Sequence, residues 1–481
     1  MLKIFLEIIE NIQFIHLYLR NRFFDIYKNH YNKFLTVELM NKKLLFATIV
    51  SALGSFLFGF DTAVISGTTK FISQFFQLSD ATLGITVSIA LWGTVLGSIV
   101  VGKPGDTYGR RFMLYLCGAL YFISAIGCSL ATGWYVLLIS RFFGGIAIGA
   151  ASVMAPMYIA EISPGRLRGR LVAVAQFNIV LGILVAFFSN YLLVDTGPDN
   201  WRWMFGVMAI PAAVFFILLF LVPESPRWLV KKQRIDEAKS VLQTVGAENV
   251  EMELKDIINS LKEEAGVGTT KLFQKKYNFV IMCAVLLAVF NQLSGINVIM
   301  YYAPMIFEKA GSSTNSAMLQ AVAVGVTNML FTIIAMFFID KFGRKTLLLI
   351  GAVGMLLSLA GAAFHYYDET LFGSYGVVIF ILGFIAFFAF SQGAVIWVFL
   401  SEIFPNRIRS KGQALGSFTH WIMNAIIGLI FPIALTSLGG GNVFMFFAIM
   451  MVPFFFFVWK VMPETKGKSL EELERAVLSE R

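Results

Sequence analysis

Amide side chains set inside apolar sequence are the residues of this chain whose type and spacing point to chemistry. Asn291 and Gln292 lie about 15 residues into the uncharged run Tyr277–Phe307, which at helical rise puts them near the middle of a bilayer-spanning segment. Gly295 then invites a break that frees backbone groups for a ligand, and Asn297 follows it. Asn328 falls at similar depth in Ser316–Ile339, and Gln176 and Asn424 add amides in two further runs. Polar groups in hydrocarbon are costly without partners, so these positions are candidates for a pathway. An amide both donates and accepts, which suits the hydroxyls of an uncharged polyol. Trp397 and Trp421 present flat apolar faces that can cover the C–H face of a pyranose ring, and Phe56 is expected to line the same cavity. The competing reading of such an amide is glue between helices. That of a tryptophan is interfacial anchoring, which suits Trp134 and Trp459 better.

Asp61 and Arg141 are the intramembrane charges that most need explaining. Asp61 is ~27 Å along the first span, and Arg141 ~10 Å below the face from which the fourth span enters, so both fall in the outer half. An ion pair is the cheapest arrangement for two such charges, and it is expected here. Burial disfavours a carboxylate while a nearby guanidinium favours it, so a changing Asp61–Arg141 distance can load and release a proton. A static structural pair is the alternative. The sequence shows no phosphate-cradling loop, nucleophile–base pair or metal-ligand cluster, so no covalent catalysis, ATP hydrolysis, metal or cofactor is expected.

The elements that position these groups follow from composition. Of 481 residues, 58% are hydrophobic and 14% charged, far below the roughly 25% charged of a soluble domain. The chain is therefore solvated mostly by lipid. Its net charge of +9 resides in short loops between apolar runs, which indicates membrane orientation rather than nucleic-acid binding. Cys117, Cys128 and Cys283 lie in apolar runs and are expected to be reduced and packed.

The spans divide the chain. Residues 1–43 form an N-terminal segment, of which 1–39 lack both a spanning run and a secretory signal; they are read as an over-called start ahead of Met40, or else as an interfacial amphipathic helix. Six spans occupy 44–222, with Ala131-Thr132-Gly133 supplying the turn inside the long run Phe112–Ser140. Residues 223–276 are charged, with helical patterning at Arg234–Val245 and Val250–Glu264. Six more spans fill 277–462, the last two separated by Leu438-Gly439-Gly440-Gly441, and 463–481 form a tail.

The two sets of six are copies. Gly105-Asp106-Thr107-Tyr108-Gly109-Arg110-Arg111 returns 234 residues later, from 106 to 340, as Asp340-Lys341-Phe342-Gly343-Arg344-Lys345. Glu161-Ile-Ser-Pro-Gly-Arg166-Leu-Arg168 answers to Glu402-Ile-Phe-Pro-Asn-Arg407-Ile-Arg409, and Pro223-Glu224-Ser225 to Pro463-Glu464-Thr465. A fixed long offset means one unit built twice. The opposite loops carry Lys70, Arg202 and Lys309 against Asp80, Asp195, Asp199, Glu308, Asp368 and Glu369. Basic loops face the cytoplasm, which places both termini, the linker and the repeated turns there, in the plasma membrane. Asp106, Arg110, Arg111, Glu161, Arg166, Arg168, Asp340, Arg344, Glu402 and Arg407 can join helix ends by charge-assisted hydrogen bonds, or can simply be a solvated topology signal.

The repeated Gly-Asp-x-x-Gly-Arg-Arg turn resembles the signature of the major facilitator superfamily. Pro223-Glu-Ser-Pro-Arg-Trp228, Asn291-Gln-Leu-Ser-Gly-Ile-Asn297 and Tyr301-Tyr-Ala-Pro304 narrow the resemblance to its sugar porters, over residues 44 to about 470. The resemblance implies an all-α membrane protein of two pseudo-symmetric six-helix bundles. It implies proton-coupled import of a monosaccharide by a protein that works as a monomer, with a facilitator or a sugar sensor as alternatives. It implies sugar contacts at Gln176, Gln292, Asn297, Asn328, Trp397 and Trp421, and a cytoplasmic latch formed by the charged turns. Asn291 departs from the family's usual Gln, and His420 from its Gln or Asn; His420 is read as a sugar ligand, a proton-sensitive group or a packing residue. Animal facilitators carry Asn at the position of Asp61. The xylose-symporter type has a sixth-span carboxylate where this chain has Met208.

Overall fold

The computed structural model describes residues 41–467 apart from 166, 267–270 and 374. The expectations for residues 1–39 and for Arg166 lie outside the described residues, as does most of the tail. The first six spans are α1 (Lys42–Phe76), α2 (Asp80–Val100) with the short α3 (Gly102–Tyr108) after it, α4 (Arg110–Ser129), α5 (Trp134–Ile162), α6 (Arg168–Leu193), and the pair α7 (Asn200–Gly206) and α8 (Ala209–Leu218). The connection holds α9 (Pro226–Lys231), α10 (Ile235–Thr244) and α11 (Val250–Gly266). The second set begins with α12 (Asn278–Leu293) and α13 (Ile296–Lys309), which share one span, then α14 (Thr314–Phe342) and α15 (Arg344–Tyr367). The tenth span is shared by α16 (Gly376–Phe390) and α17 (Gln392–Glu402), and α18 (Arg409–Lys460) completes the chain. The 52-residue α18 is interrupted at Gly439 (φ 78°), so it supplies two spans and the described residues hold twelve.

The duplication is visible in the packing. In the first half α1 lies against α6, α2 against α5, and α4 against α5 and α8. In the second half α12 lies against α18, α14 against α16, and α15 against α16 and α18, which is the same scheme repeated. The halves meet along α2 and α18, along α6 and α14, and along α1 and α13. Small residues set the closest approaches: a Cβ on Gly145 of α5 would overlap the Ala90 carbonyl oxygen of α2. Such contact is the main adhesive between helices in lipid, where apolar burial gives little drive.

Gly295 separates α12 from α13 because it adopts φ 84°, a left-handed conformation that costs glycine little. A second bend follows at Tyr302 (φ −129°, ψ 16°), where Pro304 denies a hydrogen bond to the preceding turn. α13 is thus a half-helix flexed at its start and middle.

The repeated acidic motifs also find their reason here. Glu224 accepts from the Arg111 backbone N–H at the start of α4 (3.2 Å). Glu464 accepts from the backbone N–H groups of Arg344 (3.0 Å) and Lys345 (2.9 Å) at the start of α15. A carboxylate at a helix N-terminus satisfies unpaired donors and opposes the helix dipole.

Candidate functional site

The break at Gly295 brings the seventh-span amides together. Asn297 Nδ2 donates to Gln292 Oε1 (2.9 Å), and Gln292 Nε2 donates to Asn291 Oδ1 (3.0 Å). Gln292 Nε2 also lies 3.1 and 3.2 Å from the two ring nitrogens of His420 on α18. Asn291, Gln292 and His420 are buried, and Asn291 Nδ2 has no protein partner. Asn424, one turn further along α18, donates from Nδ2 to the Tyr301 hydroxyl (2.8 Å) and leaves its own Oδ1 unpaired. Buried polar atoms are nearly always satisfied in folded proteins, so unpaired ones grouped on facing helices make this a candidate place for a ligand. Asn328 is buried on α14 and Gln176 half-buried on α6, but neither joins this hydrogen-bonded group.

Aromatic rings continue the site. Trp397 sits 5.0 Å from the His420 ring, and His420 lies 5.2 Å from Trp421, edge to face. Trp397 remains 38% exposed while Trp421 is buried. Phe58, not Phe56, packs on Trp421 (5.6 Å). Phe58 precedes Asp61 by three residues on α1, while the Phe56 ring packs on Phe60 (6.1 Å).

Asp61 and Arg141 come to one cavity, lined also by Thr62, Thr94, Tyr301 and Trp421. Both are buried, yet they do not form the direct ion pair expected of them. Arg141 Nε instead donates to the Thr86 carbonyl (3.1 Å), its guanidinium carbon lies 5.6 Å from the Phe205 ring centroid, and Nη1 has no protein partner. The cavity they share has room for about one water molecule. Because Trp421 belongs both to this cavity and to the ring series ending at Trp397, the charged cavity and the amide group adjoin.

The charged turns form two matching clusters, each within one half. Arg110 pairs with Asp106 and Glu161 (3.0 Å each), and Ser225 Oγ donates to Glu161 (2.5 Å). Arg344 pairs with Asp340 (3.1 Å) and Glu402 (2.8 Å), and Thr465 Oγ1 donates to Glu402 (2.6 Å). Burial opposes charge on Asp106, but bonds from Lys231 and Arg110 outweigh it and hold its carboxyl below the usual range. The Arg111 guanidinium turns to Tyr115, Arg168 donates to the Ala160 carbonyl, and Arg407 is exposed. Among the described residues, no ion pair of this set crosses between the halves on the linker side. At the far side the opposite holds: Lys70 of α1 bonds Glu308 at the end of α13 (2.8 Å) and Thr314 (2.6 Å), and Asn315 donates to Asp195 (3.0 Å). The protein is therefore fastened across its halves at the far side.

Reading amides by depth missed Gln392, although it lies in a span like the others. It is fully buried at the break between α16 and α17 with both amide atoms unpaired. Tyr301 was visible only as part of a motif, and Lys70 and Glu308 only as loop charges.

Comparison with known proteins fits this geometry. The sequence profile of the family described as sugar (and other) transporter matches residues 47–477. The D-xylose-proton symporter of Escherichia coli K12 is 37% identical over 476 residues, covering 90% of this chain and 96% of the relative. The arabinose-proton symporter of Bacillus subtilis strain 168 is 37% identical over 439 residues, covering 90% and 94%. The inward-open structure of the E. coli xylose transporter XylE superposes with a TM-score of 0.80 at 36% identity, over 90% of this chain and 99% of that one. The XylE structure bound to 6-bromo-6-deoxy-D-glucose gives 0.76 at 36% identity over the same shares. A twelve-span fold repeated in halves and matched along nearly its whole length by that profile belongs to the sugar transporter family.

Proposed function

We propose that the protein imports a monosaccharide, a pentose or hexose such as xylose or glucose, together with a proton by alternating access between its halves. The observation that carries this reading is the hydrogen-bonded run Asn297–Gln292–Asn291, buried at Gln292 and Asn291. It is bonded to His420, keeps an unused donor on Asn291, and lies one tryptophan away from the cavity of Asp61. Amides and a tryptophan face suit sugar hydroxyls and C–H groups, and a buried acid facing a buried arginine suits proton uptake and release. Relatives named as xylose–proton and arabinose–proton symporters support the same assignment. Met208 is buried at the junction of α7 and α8, where a second acid was expected of the xylose type, so Asp61 is read as the coupling residue.

We read residues 44–222 and 277–462 as the two moving halves, 223–276 as a cytoplasmic linker, and 1–43 and 463–481 as cytoplasmic ends, in the plasma membrane and functional as a monomer. The charged clusters of Arg110 and Arg344 are taken as the two sides of a cytoplasmic latch that closes in the other conformation. Gln176 and Asn328 are taken as sugar contacts completed when the halves move.

Uptake of labelled xylose, glucose, galactose, arabinose and inositol into proteoliposomes, with and without an inward proton gradient, tests this directly. At least one sugar is expected to accumulate only when the gradient is present. Equilibration without accumulation, whatever the gradient, makes the protein a facilitator instead. Gln292→Ala, which removes the bonds to Asn291, Asn297 and His420, is expected to weaken binding several-fold to tenfold or more at roughly 0.5–1.5 kcal/mol per bond. Trp397→Ala should weaken it at least as much. Unchanged affinity in the folded Gln292 variant removes this residue from the site.

A further inference from the structure

We propose that Tyr301 is the positioning residue that ties the proton site in the first half to the sugar site in the second; this rests on the proton-symport reading above. Tyr301 is buried on the half-helix α13 and lines the cavity of Asp61 and Arg141. Its oxygen accepts from Asn424 of α18 (2.8 Å), which leaves its own proton free to donate. The other cavity hydroxyls are committed to their own helices, Thr62 to the Phe58 carbonyl (2.8 Å) and Thr94 to the Ala90 carbonyl (2.9 Å). Tyr301 is thus the cavity hydroxyl left able to address Asp61 within the cavity they share.

The position on α13 gives this bond a mechanical consequence. Tyr301 precedes the bend at Tyr302 and follows the hinge at Gly295, and seven residues on, Glu308 holds Lys70 of α1. Asp61 and Lys70 both lie on α1, which packs along α13, so the shared cavity and the Lys70–Glu308 bond join the same two helices. When Asp61 is a carboxylate it draws the Tyr301 hydroxyl and keeps α13 on α1, with Asn424 held in the same chain of bonds. When Asp61 is protonated that pull weakens and Asn424 is freed toward a ligand. The tyrosine remains protonated throughout. Other ionisable groups beside Asp61 are Arg141 of α5 and Tyr121 and Cys128 of α4, all in its own half. His420 on α18 is engaged with Gln292.

Coupling between two ligands is reciprocal, so a proton that drives sugar movement through Tyr301 must also make sugar affinity depend on pH. The experiment is D-xylose and D-glucose affinity of the purified full chain across an acid-to-alkaline series. The parent is expected to show a pH-dependent Kd, and Tyr301→Phe to reduce the acid-to-alkaline ratio several-fold, toward one, as expected for a single hydrogen bond. Asn424→Leu should flatten the ratio too, even though affinity falls at every pH, and it serves if Tyr301→Phe does not fold. Tyr121→Phe should keep the parental ratio, and so should His420→Gln. A folded Tyr301→Phe with the parental ratio overturns the proposal while leaving symport intact, as does a flat profile in His420→Gln alone. A parent that binds sugar with no pH dependence overturns proton coupling itself, and the role of Tyr301 with it.

Discussion

Vesicles carrying Asp61→Asn are expected to exchange sugar but to lose all accumulation driven by a pH gradient. The side chain is buried in an apolar wall and shares its cavity with Arg141, so the amide keeps the shape and removes the site for a proton. A gradient of one pH unit carries about 1.4 kcal/mol, or about tenfold accumulation at one proton per sugar. The parent should approach that ratio and Asp61→Asn should stay at one. Arg141→Ala should impair exchange as well, since it leaves Asp61 without a counter-charge in the membrane. Should Asp61→Asn vesicles still concentrate sugar with only a proton gradient supplied, the acid is not the coupling residue.

Gly145→Ala is the second substitution expected to have a large effect, and through packing alone. The added methyl would meet the Ala90 carbonyl, which is backbone and has no rotamer to yield. α2 and α5 must separate, at a cost of at least the ~1–3 kcal/mol typical of overpacking. Gly102→Ala, whose Cβ would meet nothing nearby, is the control and should be close to neutral. A melting temperature of the purified Gly145 variant equal to that of the control would show that the helices are not held by this contact.

Much of this architecture is legible from sequence because lipid imposes a strict rule: uncharged runs of spanning length are helices. The repeated turns reveal the duplication, and mid-span amides reveal one side of the site. The choice of partner is not legible in the same way. Arg110 and Arg344 take acids of their own half, and Asp61 shares a cavity with Arg141 without pairing to it, because partner choice depends on side-chain geometry that spacing along the chain does not encode. Glu224 and Glu464 looked like parts of a motif, and only the folded chain shows them capping α4 and α15.

The far-side fastening has a consequence for the medium on that face. Lys70 and Glu308 are 39% and 22% exposed, so dissolved ions can reach between them. Screening shortens from ~10 Å at 0.1 M to ~3 Å at 1 M ionic strength, and an exposed pair contributes at most about 1 kcal/mol to begin with. Salt added on that face alone should therefore shift the protein toward opening there, read as faster labelling of a cysteine placed below Lys70, and Lys70→Met should remove the response. A labelling rate indifferent to salt would assign the closure to helix packing. On this hypothesis the ionic strength of the surroundings becomes a second signal, one that the carrier senses before any sugar arrives.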